Sequence, residues 1–530
     1  MKTRGRKSLS ITIATLLGAV VLAPLGAATD ATAVTGTVVK AGLGSLHGAA
    51  LFSTGALFSW GNHMYAGTGS SENAAKPVLV ATSVADVAVG SMHTIFLKTD
   101  GTVWGYGWGG PLGKGEDAHA NYPIQLATSV KKIAAGNYTS FILKTNGVLY
   151  ATGDNTAGAL GIGKAAGKFF TGWKKVGSGF TDIIATAELA GDGETVFAMK
   201  GTTLYAWGLN SYGQIGDGTK VNRTKPVLVM KGVKKVSKGS YGSTAALLTN
   251  GDVYTWGGAF YGVGQGDDKN HPTPALVLSG VKDVEVDYGL IQYLKTDGSL
   301  WVSGKISLDA ETRYYSPTQI DTLVASIVGC EDFRFYFKVD GSVYVSGDSL
   351  FGQTGSGSKK ELTSFTKLSR KASTAFCSKG DDSASFLKVD KGLYAAGHNW
   401  VTGLGKYEPT NTRTFKKMTF VKNAIYDPPV ATLSALKPSV GKLSPSFAPG
   451  KHKYTLTIPA NKSSVKITAA TLDPSGRIEI DLFYTYQSSK AKKNSITIKL
   501  DKGDSQTVNF IVSNADGYIH KYDVKVVRQK

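Results

Sequence analysis

The 530 residues predict an all-β chain, in which a β-propeller of eight repeat units, forming seven or eight blades, precedes a β-sandwich. Three observations carry that reading. A turn glycine followed by a short apolar or aromatic strand recurs eight times, at intervals of 43 to 54 residues. The composition, with 65 Gly, 24 Tyr and 21 Phe and only 18% charged residues, suits many short strands joined by tight turns. After Asp427-Pro428-Pro429 the repeat stops and a basic segment of different texture begins.

The chain opens with Lys2, Arg4, Arg6 and Lys7, continues through an apolar stretch from Ile11 to Leu25, and reaches Ala31-Thr32-Ala33. That order predicts a secretory signal peptide over residues 1–33, with cleavage near Ala33. Gly18, Pro24 and Gly26 interrupt a stretch already shorter than the roughly 20 residues of a membrane span. No later segment is predicted to cross a bilayer. The protein is expected to be secreted or associated with the cell surface.

The formal net charge is +20. Between 430 and 530 there are 16 Lys and Arg against 7 Asp and Glu, so the last hundred residues carry an excess of nine positive charges. Such an excess attracts nucleic acid, anionic membrane or anionic wall polymer, or simply solvates a surface. Export removes nucleic acid from the expected partners.

The repeat anchors are Gly55, Gly101, Gly147, Gly201, Gly251, Gly298, Gly341 and Gly392. Each sits in a predicted hairpin, as in Phe96 to Trp104, where Asp100-Gly101 supplies the positive φ of a tight turn. A third strand such as Lys225 to Val229 and a fourth such as Val84 to Gly90 complete a four-stranded unit. One such unit cannot bury both faces, so units stack around an axis. Eight complete units mean eight blades, or seven with one unit used differently; the count favours eight.

The fullest copy runs Leu204-Tyr-Ala-Trp-Gly-Leu-Asn-Ser-Tyr-Gly-Gln-Ile-Gly-Asp-Gly218, followed by Pro226 and Val233 to Gly239. It resembles the repeat of the regulator of chromosome condensation (RCC1) family, and looser copies extend the resemblance over roughly residues 40 to 425. The resemblance implies a propeller, typically of seven blades, over 34–427. Beyond it, Leu433 to Phe447, Tyr454 to Pro459 and Ala515 to Val527 resemble the bacterial cadherin-like β-sandwich domain, expected over 428–530. The alternation in Tyr454 to Ile458 and Tyr522 to Val526 independently reads as half-buried strands.

The apparent chemical motifs dissolve into the repeat. Gly158 to Lys164 satisfies most of a phosphate-loop pattern, but Ala165 stands where the magnesium-binding hydroxyl belongs and no helix follows. Gly105 to Gly110 lacks the helix of a dinucleotide fingerprint. Gly347-Asp-Ser-Leu350 matches a short hydrolase motif, yet Gly347 aligns with Gly208 and Ser349 with Asn210, so the loop consensus explains it. The eight His show no metal spacing. The chain is therefore read as non-enzymatic, with no cofactor and no metal. Export also separates it from small GTPases and chromatin, so the family resemblance transfers a fold and not an exchange activity.

Cys330 and Cys377 lie 47 residues apart, close to one repeat, and fall at similar places on successive units. An oxidising compartment permits a disulfide between them; two buried thiols are the alternative. Aromatic residues that depart from the loop consensus, Trp108, Phe260, Tyr314, Tyr315 and Trp400, are candidates for a binding surface, since equivalent loops of a closed propeller emerge on one face. Packing against the neighbouring blade is the alternative for each. Lys437, Lys442, Lys451, Lys453, Lys490, Lys492 and Lys493 are candidates for polyanion contact. The expected function is binding of an unidentified extracellular protein through propeller loops. The alternative is a wall- or glycan-associated structural protein held by its basic sandwich to anionic polymer.

Overall fold

The computed structural model describes residues 36–529, apart from 71–72, 117, 165–168, 186–192, 240–241, 260–262, 308–310, 378–383, 399–410, 421–432, 448–452, 472–476, 483–484, 490–492 and 514–518. Eight four-stranded sheets follow one another in the chain, over 38–81, 84–127, 130–177, 182–230, 233–278, 281–321, 324–367 and 374–417. They are eight blades. In each, the strands pair antiparallel in chain order, from an inner strand lining the central channel to an outer fourth strand.

The strand exemplified by Val84 to Gly90 is not the fourth of its unit. Val84–Val89 pairs with His93–Lys98 of the following hairpin and is the inner strand of the second blade. The physical reason lies in the turn before it: Ser83, at φ +57°, turns the chain away from the outer strand Ala74–Ala81, and the N–H of Val84 donates to the Gly55 carbonyl at 2.9 Å, tying the start of the second blade to the hairpin of the first. The same bond joins Val130 to Gly101, Phe180 to Gly147, Val281 to Gly251 and Val324 to Gly298. The anchor glycine thus serves two blades. Gly101 takes φ +79° to close its own hairpin, where the Asp100 carboxylate accepts from the N–H of Thr102 at 2.8 Å.

Eight buried apolar clusters, one per junction, hold the ring together. The cluster that closes the circle joins Phe52, Phe58 and Trp60 of the first blade to Phe386, Leu393 and Ala395 of the last. Trp60 meets Phe386 edge-on at 5.7 Å. Among the described residues closure is by side-chain packing: Val38–Leu43 pairs with its own blade, and no strand is lent from the far end of the ring.

Six of the eight inner strands carry a bulge after their first residue, as between Val38 and Lys40, Val84 and Asp86, Val233 and Lys235, and Val281 and Asp283. A bulge re-aims the side chain that follows it. At this position and its equivalents in the fourth and eighth blades the chain carries, in order, Lys40, Asp86, Lys132, Asp182, Lys235, Asp283, Ser326 and Thr374. Lysine and aspartate alternate through six blades and pair across every second junction: Lys40–Asp86 at 2.7 Å, Lys132–Asp182 at 2.5 Å and Lys235–Asp283 at 2.6 Å. The seventh and eighth blades have no charge there. At that junction a disulfide joins Cys330 to Cys377, with Cα atoms 5.6 Å apart.

Below the rim of the channel runs a buried polar belt. The imidazole of His47 meets the Thr94 hydroxyl of the next blade at 2.9 Å, and that of His93 meets the Ser140 hydroxyl at 2.8 Å. Burial pushes His47 down to about 4 and His93 down to about 3, the neighbouring His47 adding to the effect on His93. Both are neutral in the folded chain at pH 7.

The sandwich packs a three-stranded sheet, Leu433–Pro438, Ser464–Thr471 and Lys493–Lys499, on a six-stranded one. In the larger sheet Lys453–Ile458 runs parallel to Ile519–Arg528. Leu456, Ile467, Val508, Phe510, Val524 and Val526 fill the space between, and the Tyr522 hydroxyl accepts the Leu433 N–H at 3.1 Å across the sheets.

Replacing both cysteines, Cys330→Ser/Cys377→Ser, is expected to remove about 4 kcal/mol on a chain-entropy argument for a loop of this length. The thermal midpoint should fall, and a reductant should lower the parent to the same value while leaving the variant unmoved. For the histidines the sign is fixed by the unfolded chain, which binds a proton near pH 6.5 while the folded chain refuses it until about 4 and 3. Stability therefore falls as pH drops through that window. His93→Gln should make the fall shallower than in the parent, measured as denaturation midpoints at pH 7, 6, 5 and 4.

Candidate interaction face

The loops joining third to fourth strands emerge at the same end of the ring as those joining first to second strands. The loop of the fourth blade shows how its consensus residues are committed. Asn210 is fully buried, accepts from the Ile215 N–H at 2.9 Å, and donates to the carbonyls of Thr219 and Val221 at 3.0 Å each. The Gln214 side chain accepts the Tyr212 N–H at 2.9 Å, while its backbone carbonyl takes the Trp256 indole N–H of the next blade at 2.8 Å. Gly218 donates to the Pro272 carbonyl of that blade at 2.9 Å. The Trp207 indole reaches back in the same way to the Ala159 carbonyl at 2.8 Å. Each loop thus latches onto the following blade.

The same logic disposes of the motif-like segments. Asn155 accepts from the Leu160 N–H and donates to the Lys164 carbonyl, so residues 158–164 wrap around a buried amide rather than a phosphate. The Ser349 hydroxyl is buried against the Thr354 hydroxyl at 2.6 Å and the Ser358 carbonyl at 3.0 Å. Those contacts supply no base to activate it. Among the described residues no group of three His, Cys, Asp or Glu is placed to hold a metal ion, and no helix is long and apolar enough to cross a membrane.

Of the aromatic residues that depart from the consensus, Trp108 lies at the junction of the second and third blades. Its ring meets Phe169 at 4.6 Å and Tyr138 at 5.6 Å, and its N–H donates to the Glu116 carbonyl at 2.6 Å. These three rings form a half-buried cluster. Tyr314 and Tyr315 sit four blades away, on Arg313–Asp321 of the sixth blade, so the structure does not bring them to Trp108. Tyr315 is 44% exposed, with the Arg313 guanidinium 4.9 Å over its ring. Phe260 and Trp400 lie outside the described residues. Tyr212, whose place in the consensus predicts a purely structural role, is 39% exposed, and Leu350, beside the corresponding aromatic of the seventh blade, is 58% exposed. In both loops the glutamine holds the backbone and leaves an apolar group outside.

Charges at the channel mouth are buried and specific. Glu194 of the fourth blade accepts the Tyr138 N–H at 2.8 Å and also the Thr139 hydroxyl. It does so through a gap that only Gly136 leaves open, since a Cβ there would lie 2.0 Å from the carboxylate. Asp287 and Arg334 form an ion pair of 2.8 Å across the sixth and seventh blades. Burial pushes Asp287 up to about 6 against the pull of that guanidinium. Asp332 is pushed up to about 8 by burial and by Asp348 and Glu331 beside it. Glu194 and the Asp287–Arg334 pair tie neighbouring blades together.

The sandwich lysines are dispersed. Lys437 is exposed on the smaller sheet, and Lys442 and Lys453 are exposed on the larger one. Lys493 opens Lys493–Lys499; Lys451, Lys490 and Lys492 lie outside the described residues.

Three family models match, over four segments of the chain. Regulator of chromosome condensation (RCC1) repeats are recognised at residues 203–246 and again at 84–110 and 130–159, and a cadherin-like beta sandwich domain at 432–529. The E3 ubiquitin-protein ligase HERC2 is 38% identical over 91 residues in Mus musculus and 39% over 84 residues in Homo sapiens. Those stretches are 16% and 15% of this chain and 2% of each ligase. The solved structure of human WBSCR16 is similar at a TM-score of 0.48 and 16% identity, over 61% of this chain and 96% of that one. Prp20p of Saccharomyces cerevisiae is similar at 0.45 and 17%, over 73% and 90%. The chain carries RCC1 repeats, closed here into eight blades, and ends in a cadherin-like β-sandwich domain.

Proposed function

We propose that the protein is a secreted binding protein that engages an extracellular protein through the loop face of its propeller, and that it has no catalytic role. The observation that carries this reading is the contrast within the loops. Their consensus residues are consumed by holding blades together, while Tyr212, Leu350 and Tyr315 project apolar surface from the same end of the ring. Exposed Tyr on a rigid frame is the side-chain type that dominates interface energetics, because little conformational freedom is lost on docking. The amino-terminal Lys and Arg cluster, apolar run and Ala31-Thr32-Ala33 support export. Exposed Lys437, Lys442 and Lys453 favour a second reading, in which the sandwich holds the protein to anionic polymer.

The test is affinity capture from the medium and surface of producing cells, with the full chain as bait and Tyr212→Ala/Tyr315→Ala beside it. A partner retained by the parent should bind the variant at least tenfold more weakly, with the melting temperature unchanged, because both rings stand outside the packed clusters. Equal capture by both baits removes the loop face. Trp108→Ala should behave differently and lower the melting temperature, since it deletes the centre of a three-ring cluster.

A further inference from the structure

The outer rim of the ring carries two clefts lined by cations. One, of about 270 Å³, opens between the third and fourth blades; the other, of about 370 Å³, opens between the seventh and eighth. Four blades separate them, half of an eight-bladed ring, so they face opposite ways. Neither is lined by a carboxylate.

In the first cleft Lys200 lies over the rings of Phe180 at 4.7 Å and Tyr205 at 5.1 Å, flanked by Lys175 and Lys225 from the two fourth strands. In the second, Arg370 lies 4.2 Å over Tyr394, flanked by Lys367 and Lys416, with the hydroxyls of Ser369 and Thr414 alongside. Tyr205 and Tyr394 occupy the same place in their blades. A cation over an aromatic face is held in position without being neutralised. None of the six cations forms an ion pair among the described residues; Asp340 feels Lys367 electrostatically without pairing with it.

Two of the flanking lysines, Lys175 and Lys367, stand where most blades carry an uncharged residue. Lys175 pairs with Tyr150 and Lys367 with Tyr344 at one register position. The same position holds Leu79, Gln125, Leu228, Leu276 and Gln319 in the first, second, fourth, fifth and sixth blades, and Lys417 in the eighth. Blade packing therefore does not require a cation there. Placing three beside one another costs repulsion, which an anion bearing several oxygens would relieve.

We propose that the two rim clefts each bind a phosphate group, so that the propeller grips an extended phosphate-bearing polymer at two points. Three cations converging on one cleft suit a group with more than one negative charge and several acceptor oxygens better than a carboxylate. Two clefts on one rigid ring raise the retention of a long chain well beyond that of a short one, because the second contact is made at high effective concentration. The clefts reach the third-to-fourth-strand loops at Gly161 and Gly355 but do not include Tyr212, Leu350 or Tyr315, and neither reading depends on the other.

Isothermal titration of the full chain with tripolyphosphate at low salt should give two sites. Lys175→Gln/Lys225→Gln and Lys367→Gln/Lys416→Gln should each leave one, with affinity at the altered cleft at least tenfold lower and an unchanged melting temperature. Long-chain polyphosphate should bind the parent more tightly than tripolyphosphate, with a salt dependence made shallower by roughly one per lysine removed. Arginine at the four positions should restore two sites. The control Lys437→Gln/Lys442→Gln removes the same charge from the sandwich and should bind as the parent does. An unchanged site count in the cleft variants, an equal loss in the control, or equal affinity for polyglutamate would overturn the proposal.

Discussion

A single four-stranded sheet with two apolar faces has no stable existence in water, and every blade of this ring depends on its neighbours to cover it. Phe141 and Leu149 of the third blade meet Val196 and Trp207 of the fourth; Ala245 and Val253 of the fifth meet Val284 and Tyr293 of the sixth. Burying a ring or branched side chain of this size contributes on the order of 2 kcal/mol, so each junction holds several such contributions and none is dispensable to the circle. The dependence explains why the repeat's most specific residues cluster at junctions. Trp207 and Trp256 place their indole N–H groups on the preceding blade's loop, and Gly218 places its amide on the next.

Apolar contact alone would let similar blades pair in more than one order. The alternating Lys and Asp of the inner strands oppose that ambiguity. Lys132 is met by Asp182, whereas a blade slipped by one place would set like charges side by side. These side chains are one third to one half exposed, so each pair contributes less than about 1 kcal/mol to stability. Their weight lies in discrimination between neighbours, where repulsion and attraction differ in sign. The last pair of blades lacks the charges and carries the disulfide instead, a link that tolerates only one partner.

Much of this was legible in the residues. The turn glycines and their spacing located eight blades because a hairpin needs a positive φ wherever it turns, regardless of what surrounds it. The bridge between Cys330 and Cys377 lay within reach of the same argument, since two residues one repeat apart occupy like positions on adjacent blades. The boundary of a blade was not legible: Val84 to Gly90 follows one unit and precedes another, and only its pairing with His93–Lys98 assigns it to the second blade. Trp108 stood out as a departure from the consensus, but Tyr138 and Phe169, which cover it, come from elsewhere in the chain and carried no local signal. The Lys and Asp alternation was present in the sequence throughout. It becomes visible only when the inner strands are aligned on their bulges, because neither hydropathy nor spacing marks it.

The division of labour between repeated and unrepeated positions bears directly on function. A residue consumed by holding its loop, such as Asn210 with its buried amide or Ser349 at the same place in the seventh blade, is not available to encode a partner. Positions free to vary are those whose side chains leave the junction: the ring of Tyr315, the outer register position held by Lys175 and Lys367, the exposed group beside each loop glutamine. Eight copies of one frame then present eight independent sets of such positions, rigidly spaced. Specificity on this scaffold resides in which blades depart from the repeat and how far apart they stand, a property of the ring and not of any one blade.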